Sequence, residues 1–204
     1  MPSVTRPDRR PLRADAARNR ELLLAAAADE FAERGIDASM ADIARRAGVA
    51  KGTVFAHFAT KEELIAAIVG DHFAALTAVA RNLLDSADPG AALLEFLTVA
   101  AGGQRQHDLA FLQTVAEGDS EVTELRNEFH ASIGALVDRA RDAGAVRADI
   151  TGTDVLLLIC APVHAIGFLA NPEPDLWRRY LAIIFDGLRP EGANPLPRPA
   201  PSWP

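Results

Sequence analysis

The chain has 204 residues, a formal net charge of −7, 49% hydrophobic residues and one cysteine. That length holds one sizeable domain or a small domain joined to a larger one; the composition excludes a fibrous or disordered chain, and Cys160 alone excludes an internal disulfide framework or cysteine-rich metal site and favours a reducing compartment, the cytoplasm. Charge is distributed unevenly, with 11 Lys and Arg against 8 Asp and Glu in residues 1–61 but 10 against 20 in residues 62–204, so an anionic partner is expected for the front end only.

Residues 1–14 read as a basic, disordered arm. The first 20 residues carry six Arg and no apolar core of a signal peptide. The longest uncharged apolar run, residues 155–170, falls short of the ~20 residues that span a bilayer, and no membrane segment is expected. The first helical pattern covers 15–34, with Leu22, Leu23, Ala26, Ala27 and Phe31 at helical spacing before Arg34 and Gly35 close it. Ser39 and Asp42 form a capping-box pair opening a helix over 40–47, with Ile43 and Ala44 inward and Arg45 and Arg46 outward. Gly48 supplies the positive φ that ends it. Only two helical turns fit before Thr60 and Glu63 open the next helix at 61. A piece that short is marginal alone, so Val54 and Phe58 must be buried, leaving Lys51, Thr53 and His57 for solvent or a ligand.

Longer helices follow, over 61–84, 88–101, 109–117, 120–143, 153–169 and 172–188. The fourth carries the stripe Leu64, Ile65, Ile68, His72, Leu76, Val79 and Leu83. The helix over 153–169 is apolar on every side, and 172–188 has too wide a stripe for one contact; Asn171 is expected to cap the latter, with Pro172 at its first position. The excess apolar surface predicts a homodimer with a four-helix seam through Leu157, Cys160, Trp177, Leu181 and Ile184. Six prolines after residue 189 predict a disordered tail over 190–204. Nothing reads as a strand: the fold class is all-α, about nine helices, with an N-terminal three-helix domain over 15–60 and a helical ligand-binding and dimerisation domain over 61–189.

Two short helices joined by a Gly turn make a helix-turn-helix, whose second helix fits a major groove. The residues also carry a resemblance. "FAERG" ending helix one, "IARRAGV" in helix two, "KGTVFAHF" over 51–58 and "KEEL" from 61 resemble the N-terminal domain of the TetR family of transcriptional regulators. The likeness runs over residues 13–68.

This resemblance implies a homodimer that grips a palindromic operator and responds to a small, mostly apolar effector, with repression the commoner outcome. It implies DNA contacts from the arm (Arg9, Arg10, Arg13), from Ser39 and Met40 opening helix two, from Lys51, Gly52, Thr53, Phe55 and His57, and from Lys61 at the helix-four N-terminus. The chain departs from the family at Ala50, where a capping Ser or Thr is common, at Phe55, where Tyr is common, and at Ala56. These departures keep an alternative open: a helical ligand-binding or interaction protein with weakened DNA binding.

Elsewhere, five scattered His form no ligand pair, and there is no nucleophile, phosphate-loop or dinucleotide motif. No catalytic residue, metal or cofactor is expected, and the chain reads as a non-enzyme. His72 and His164 lie on apolar helices, where a lone His is more often a satisfied core residue than a polar handle in a cavity; with Phe111, Phe129 and Phe168, themselves first of all core residues, they are the candidate ligand-binding residues. Pro162 should bend its helix.

Overall fold

The computed structural model describes residues 9–106 and 110–203, with side chains for 18–103 and 112–203. Among these residues there are α-helices and no strands: α1 (Arg9–Arg34), α2 (Met40–Ala47), α3 (Lys51–His57), α4 (Lys61–Leu83), α5 (Pro89–Gln106), α6 (Ala110–Ala116), α7 (Ser120–Asp142), α8 (Gly152–Ile166) and α9 (Leu176–Leu188), with a 3-10 turn at Gly35–Asp37. The all-α expectation therefore holds. The chain divides into two compact units, Met1–Val69 with Leu109–Ala116, and Gly70–Asp108 with Glu117–Pro204.

In the first unit, α2 packs on α1 and α3 on α2 around Leu23, Phe31, Ile43, Val54, Leu64 and Ile65, all fully buried. Helix α1 starts at Arg9, six residues before the expected point. The α2 end is a Schellman motif: Gly48 has φ 69°, its N–H donates to the Arg45 carbonyl at 3.2 Å, and the Val49 N–H donates to the Ala44 carbonyl at 3.0 Å.

The second unit centres on α5, α7, α8 and α9. Phe129 is 2% exposed and lies between Phe73, at 5.5 Å between ring centroids, and Phe96, at 6.3 Å. Helices α7 and α8 approach backbone to backbone: a Cβ placed on Gly152 would stand 2.9 Å from Gly134 Cα. Asp119 caps α7, accepting from the Val122 N–H at 3.0 Å. Thr151 and Asp154 form a reciprocal capping box on α8. Arg139 donates to the Leu84 carbonyl and, at 3.0 Å, to that of Ser86, satisfying carbonyls just beyond the end of α4.

Two expectations are corrected here. Helix α9 begins at Leu176, not 172: Pro174 disfavours helical dihedrals at Glu173, so Asn171 is no cap and "NPEPD" is a loop. The tail over 190–203 does not hang free, because Trp203 stacks on His130 of α7 with centroids 4.1 Å apart. By length and composition α4, not the 155–170 run, is the described helix that could cross a membrane; Leu64, Ile65, Ile68, Val69, Phe73, Leu76 and Ala80 are buried inside the protein, as in a core helix.

Candidate nucleic-acid interface

The short helix α3 exists because its inner side is anchored. Val54 is fully buried and Phe58 is 5% exposed, with the Arg20 guanidinium 5.8 Å from the Phe58 ring centroid. Once those two point inward, helical spacing turns Lys51, Gly52, Phe55 and Ala56 outward as one exposed ridge, with Thr53 and His57 half-buried on its flanks. Gly52 faces open space, and the Lys51 ammonium lies 5.7 Å from the Phe55 ring centroid. This ridge offers one cation, a flat aromatic and two positions without bulk. Its chemistry suits close approach, a phosphate or guanine contact from Lys51, and apolar contact with a thymine methyl from Phe55.

Ala50 precedes α3 in an extended conformation without a side-chain cap. An Ala50→Ser variant is therefore expected to stabilise the first unit by about 1 kcal/mol, read as a higher urea midpoint. No shift, or a fall, would show that the hydroxyl cannot reach the α3 N–H groups.

The N-terminus of α2 is built around Asp42. Its carboxylate accepts from the Ser39 hydroxyl at 2.6 Å and from Arg45 at 2.7 Å, and pairs with Arg34 at 3.3 Å; the Ser39 oxygen accepts from the Asp42 N–H at 3.2 Å. So Asp42 bonds the cap's hydroxyl and not its backbone. The Ser39 hydrogen bond first, then Arg45, lowers the Asp42 carboxyl to about 2 from 3.8. A depressed carboxyl stabilises the fold above its unfolded value and loses that contribution as pH falls through the folded one. The stability advantage of wild type over Asp42→Asn is thus expected to be constant above pH ~4 and to shrink between ~4 and ~2, measured by denaturation at several pH values.

Other predicted contacts are already engaged. Arg46 donates to Glu30 at 2.9 Å and to Glu33, with Asp29 at 3.8 Å, and the Glu30 side chain is 3% exposed. This pairing clamps α2 to α1 and turns the outward-facing Arg46 to protein carboxylates. Lys61 donates to the Ile36 carbonyl and sits 5.7 Å from the Phe31 centroid, tying α4 to the 3-10 turn. The α4 N-terminus is capped from within: Thr60 Oγ1 accepts from the Glu63 N–H at 3.1 Å and Glu63 from the Ala59 N–H at 2.7 Å. Met40 is buried and cannot reach a groove. The side chains of Arg9, Arg10 and Arg13 lie outside the described residues; their backbone belongs to α1.

The five candidate ligand residues are not gathered in one cavity. Phe129 is core. His72 is half-buried, and burial holds its imidazole below the usual range. His164 is exposed, its Nδ1–H donating to the Cys160 carbonyl at 3.0 Å, and Phe168 is 93% exposed. The Phe111 side chain lies outside the described residues.

Of the expected dimer residues, Trp177 and Leu181 are 2% and 3% exposed. They fill the core of their own chain, the Trp177 ring packing 3.7 Å from where a Gly102 Cβ would stand, and so offer little surface to a partner. Leu157, at 63% exposure, half-buried Cys160 and half-buried Ile184 stay at the surface. Ile183, 55% exposed, was not anticipated. With Leu158, Ile184 and Leu196 of the tail, Leu157 and Ile183 line an open groove of about 430 Å³ between α8 and α9.

The family profile described as bacterial regulatory proteins of the tetR family matches residues 23–68, and that of the SbtR-like transcriptional regulator C-terminal domain matches residues 88–190. A helix-turn-helix transcriptional repressor of Mycobacterium tuberculosis is 46% identical over 72 residues, 34% of this chain and 38% of its own length; the chain therefore aligns with well under half of that relative. Over nearly whole chains, the TetR transcription regulatory protein from Mycobacterium vanbaalenii has 34% identity and a TM-score of 0.64, covering 88% of this chain and 99% of that one. The regulator SCO0520 from Streptomyces coelicolor has 32% identity and a TM-score of 0.62 over 84% and 98%. The likeness thus runs over most of this chain and nearly the whole length of solved regulators, and the chain belongs to the TetR family of transcriptional regulators.

Proposed function

We propose that the chain acts in the cytoplasm as a ligand-responsive repressor, binding a palindromic operator as a homodimer and released by a small, mostly apolar effector. The observation that carries this reading is the α3 ridge of Lys51, Gly52, Phe55 and Ala56, held outward by buried Val54 and Phe58. Arg45, Arg46 and Lys61 have protein partners, so base-edge contact falls to α3, with Thr53 and His57 on its flanks and the α1 arginines Arg9, Arg10 and Arg13 taking phosphates. Exposed Leu157 and Ile183 support self-association through α8 and α9. The effector would act by preferring one of two dimer states, and can shift operator affinity only by that preference.

The test is fluorescence anisotropy with duplex DNA from the region upstream of the chain's own gene. Wild type is expected to bind a palindrome within it. Lys51→Ala and Phe55→Ala should each weaken binding on the order of 10-fold, the size of one good base contact, without lowering the melting temperature. Full affinity in both variants would remove α3 from the contact; absence of binding by wild type would favour an interaction protein.

A further inference from the structure

The end of the tail meets α7 through three different kinds of contact. The Trp203 indole lies parallel to the His130 imidazole, with centroids 4.1 Å and planes 11° apart. Its Nε1–H donates to Asn127 Oδ1 at 3.0 Å, and the Arg126 guanidinium carbon lies 5.7 Å from its centroid. Each contact reads a separate property: a flat face, a ring N–H at one edge, and π-density that attracts a cation. His130 is itself held, its Nε2 standing 3.0 Å from Thr153 Oγ1 of α8. Positions 126, 127 and 130 are i, i+1 and i+4 of one helix, so a single rigid element carries the receptor.

The tail is also held nearer α9. Arg147 donates to the Asn194 carbonyl and makes a two-pronged pair with Asp149 at 2.6 and 2.9 Å. Leu196 lies in the groove with Leu157, Leu158, Ile183 and Ile184. Trp203 is thus an aromatic group on a Pro-rich leash fixed at its other end.

We propose that Arg126, Asn127 and His130 form a recognition site for planar heteroaromatic molecules that carry a ring N–H, indole being the simplest, and that the chain's own Trp203 fills it as a tethered occupant. Tail and free ligand then compete. A tether of this length holds the indole at an effective concentration in the millimolar range, so occupancy by free ligand depends on displacing the tail. Displacement also loosens Leu196 from its groove, and a ligand on α7 thereby alters the surface that α8 and α9 present.

Calorimetric titration of the full-length chain with indole tests this. Trp203→Ala is expected to bind indole at least ~10-fold more tightly than wild type, because the tethered competitor is gone. Adding His130→Ala should abolish that gain. Adding Asn127→Ala should erase the preference for indole over benzofuran, which has the same shape and no N–H. Equal indole affinity in wild type and Trp203→Ala, or binding that survives His130→Ala, overturns the proposal. Independently, His130→Ala in the otherwise natural chain should increase acrylamide quenching of tryptophan emission, since Trp177 is buried and Trp203 is the residue released. Unchanged quenching counts equally against it.

Discussion

Phe31→Ala is expected to abolish operator binding by melting the unit that carries α3. Phe31 is fully buried in α1 and lies beneath the Lys61 ammonium, so its removal opens a cavity and takes away the ring on which α4 begins. Truncations of this kind cost about 3–5 kcal/mol, comparable with the lower end of a domain's entire stability of ~5–15 kcal/mol. Calorimetry should show the transition of the first unit lowered by on the order of 10 °C or more. The Phe73, Phe96 and Phe129 cluster belongs to the other unit, whose own transition should persist. A single transition moved by less than about 2 °C, with operator affinity intact, would refute the assignment of Phe31 as the keystone of this unit.

The second large effect is a change of sign between two glycines that face each other. At Gly152 a Cβ would stand 2.9 Å from Gly134 Cα and 3.0 Å from its backbone nitrogen, whereas at Gly134 a Cβ meets nothing within 4 Å. Both lie in helices, where alanine is ordinarily favoured over glycine by ~1 kcal/mol. Gly134→Ala should therefore be neutral or stabilising by up to about 1 kcal/mol. Gly152→Ala should destabilise by about 1–3 kcal/mol, because the atoms it strikes are backbone and only a displacement of α7 from α8 can relieve the contact. Paired denaturation curves decide the matter; stabilisation by both substitutions would mean that the helices separate freely.

Local signals carried most of the architecture. The Ser39 cap, Gly48 stop and Thr60 with Glu63 are interactions within five residues, and they set the helix-turn-helix before any packing is known. Buried Val54 and Phe58 followed from the inability of two turns to stand alone. What sequence could not supply was partnership across distance. Arg46 reads as a solvated cation until α1 brings Glu30 and Glu33 beside it, and Lys61 as a phosphate ligand until the 3-10 turn offers a carbonyl. An apolar stripe does not say whose core it fills: Trp177 and Leu181, which the stripe offers to a partner, are buried within their own chain. The tail's docking joins Trp203 to Asn127, a pairing that no periodicity encodes.

The clamp between α1 and α2 also bears on how strongly ionic strength governs DNA binding. Operator affinity falls with salt by a slope of about −0.9 per phosphate neutralised, because each neutralised phosphate frees a condensed cation. A guanidinium already balanced by a carboxylate neutralises no phosphate. Arg34, Arg45 and Arg46 are balanced in this way, and the Lys61 ammonium is turned to a carbonyl. The number of counterions released per chain should accordingly fall well below the 11 Lys and Arg of residues 1–61, leaving a grip on DNA that is less sensitive to salt than its basic front end suggests.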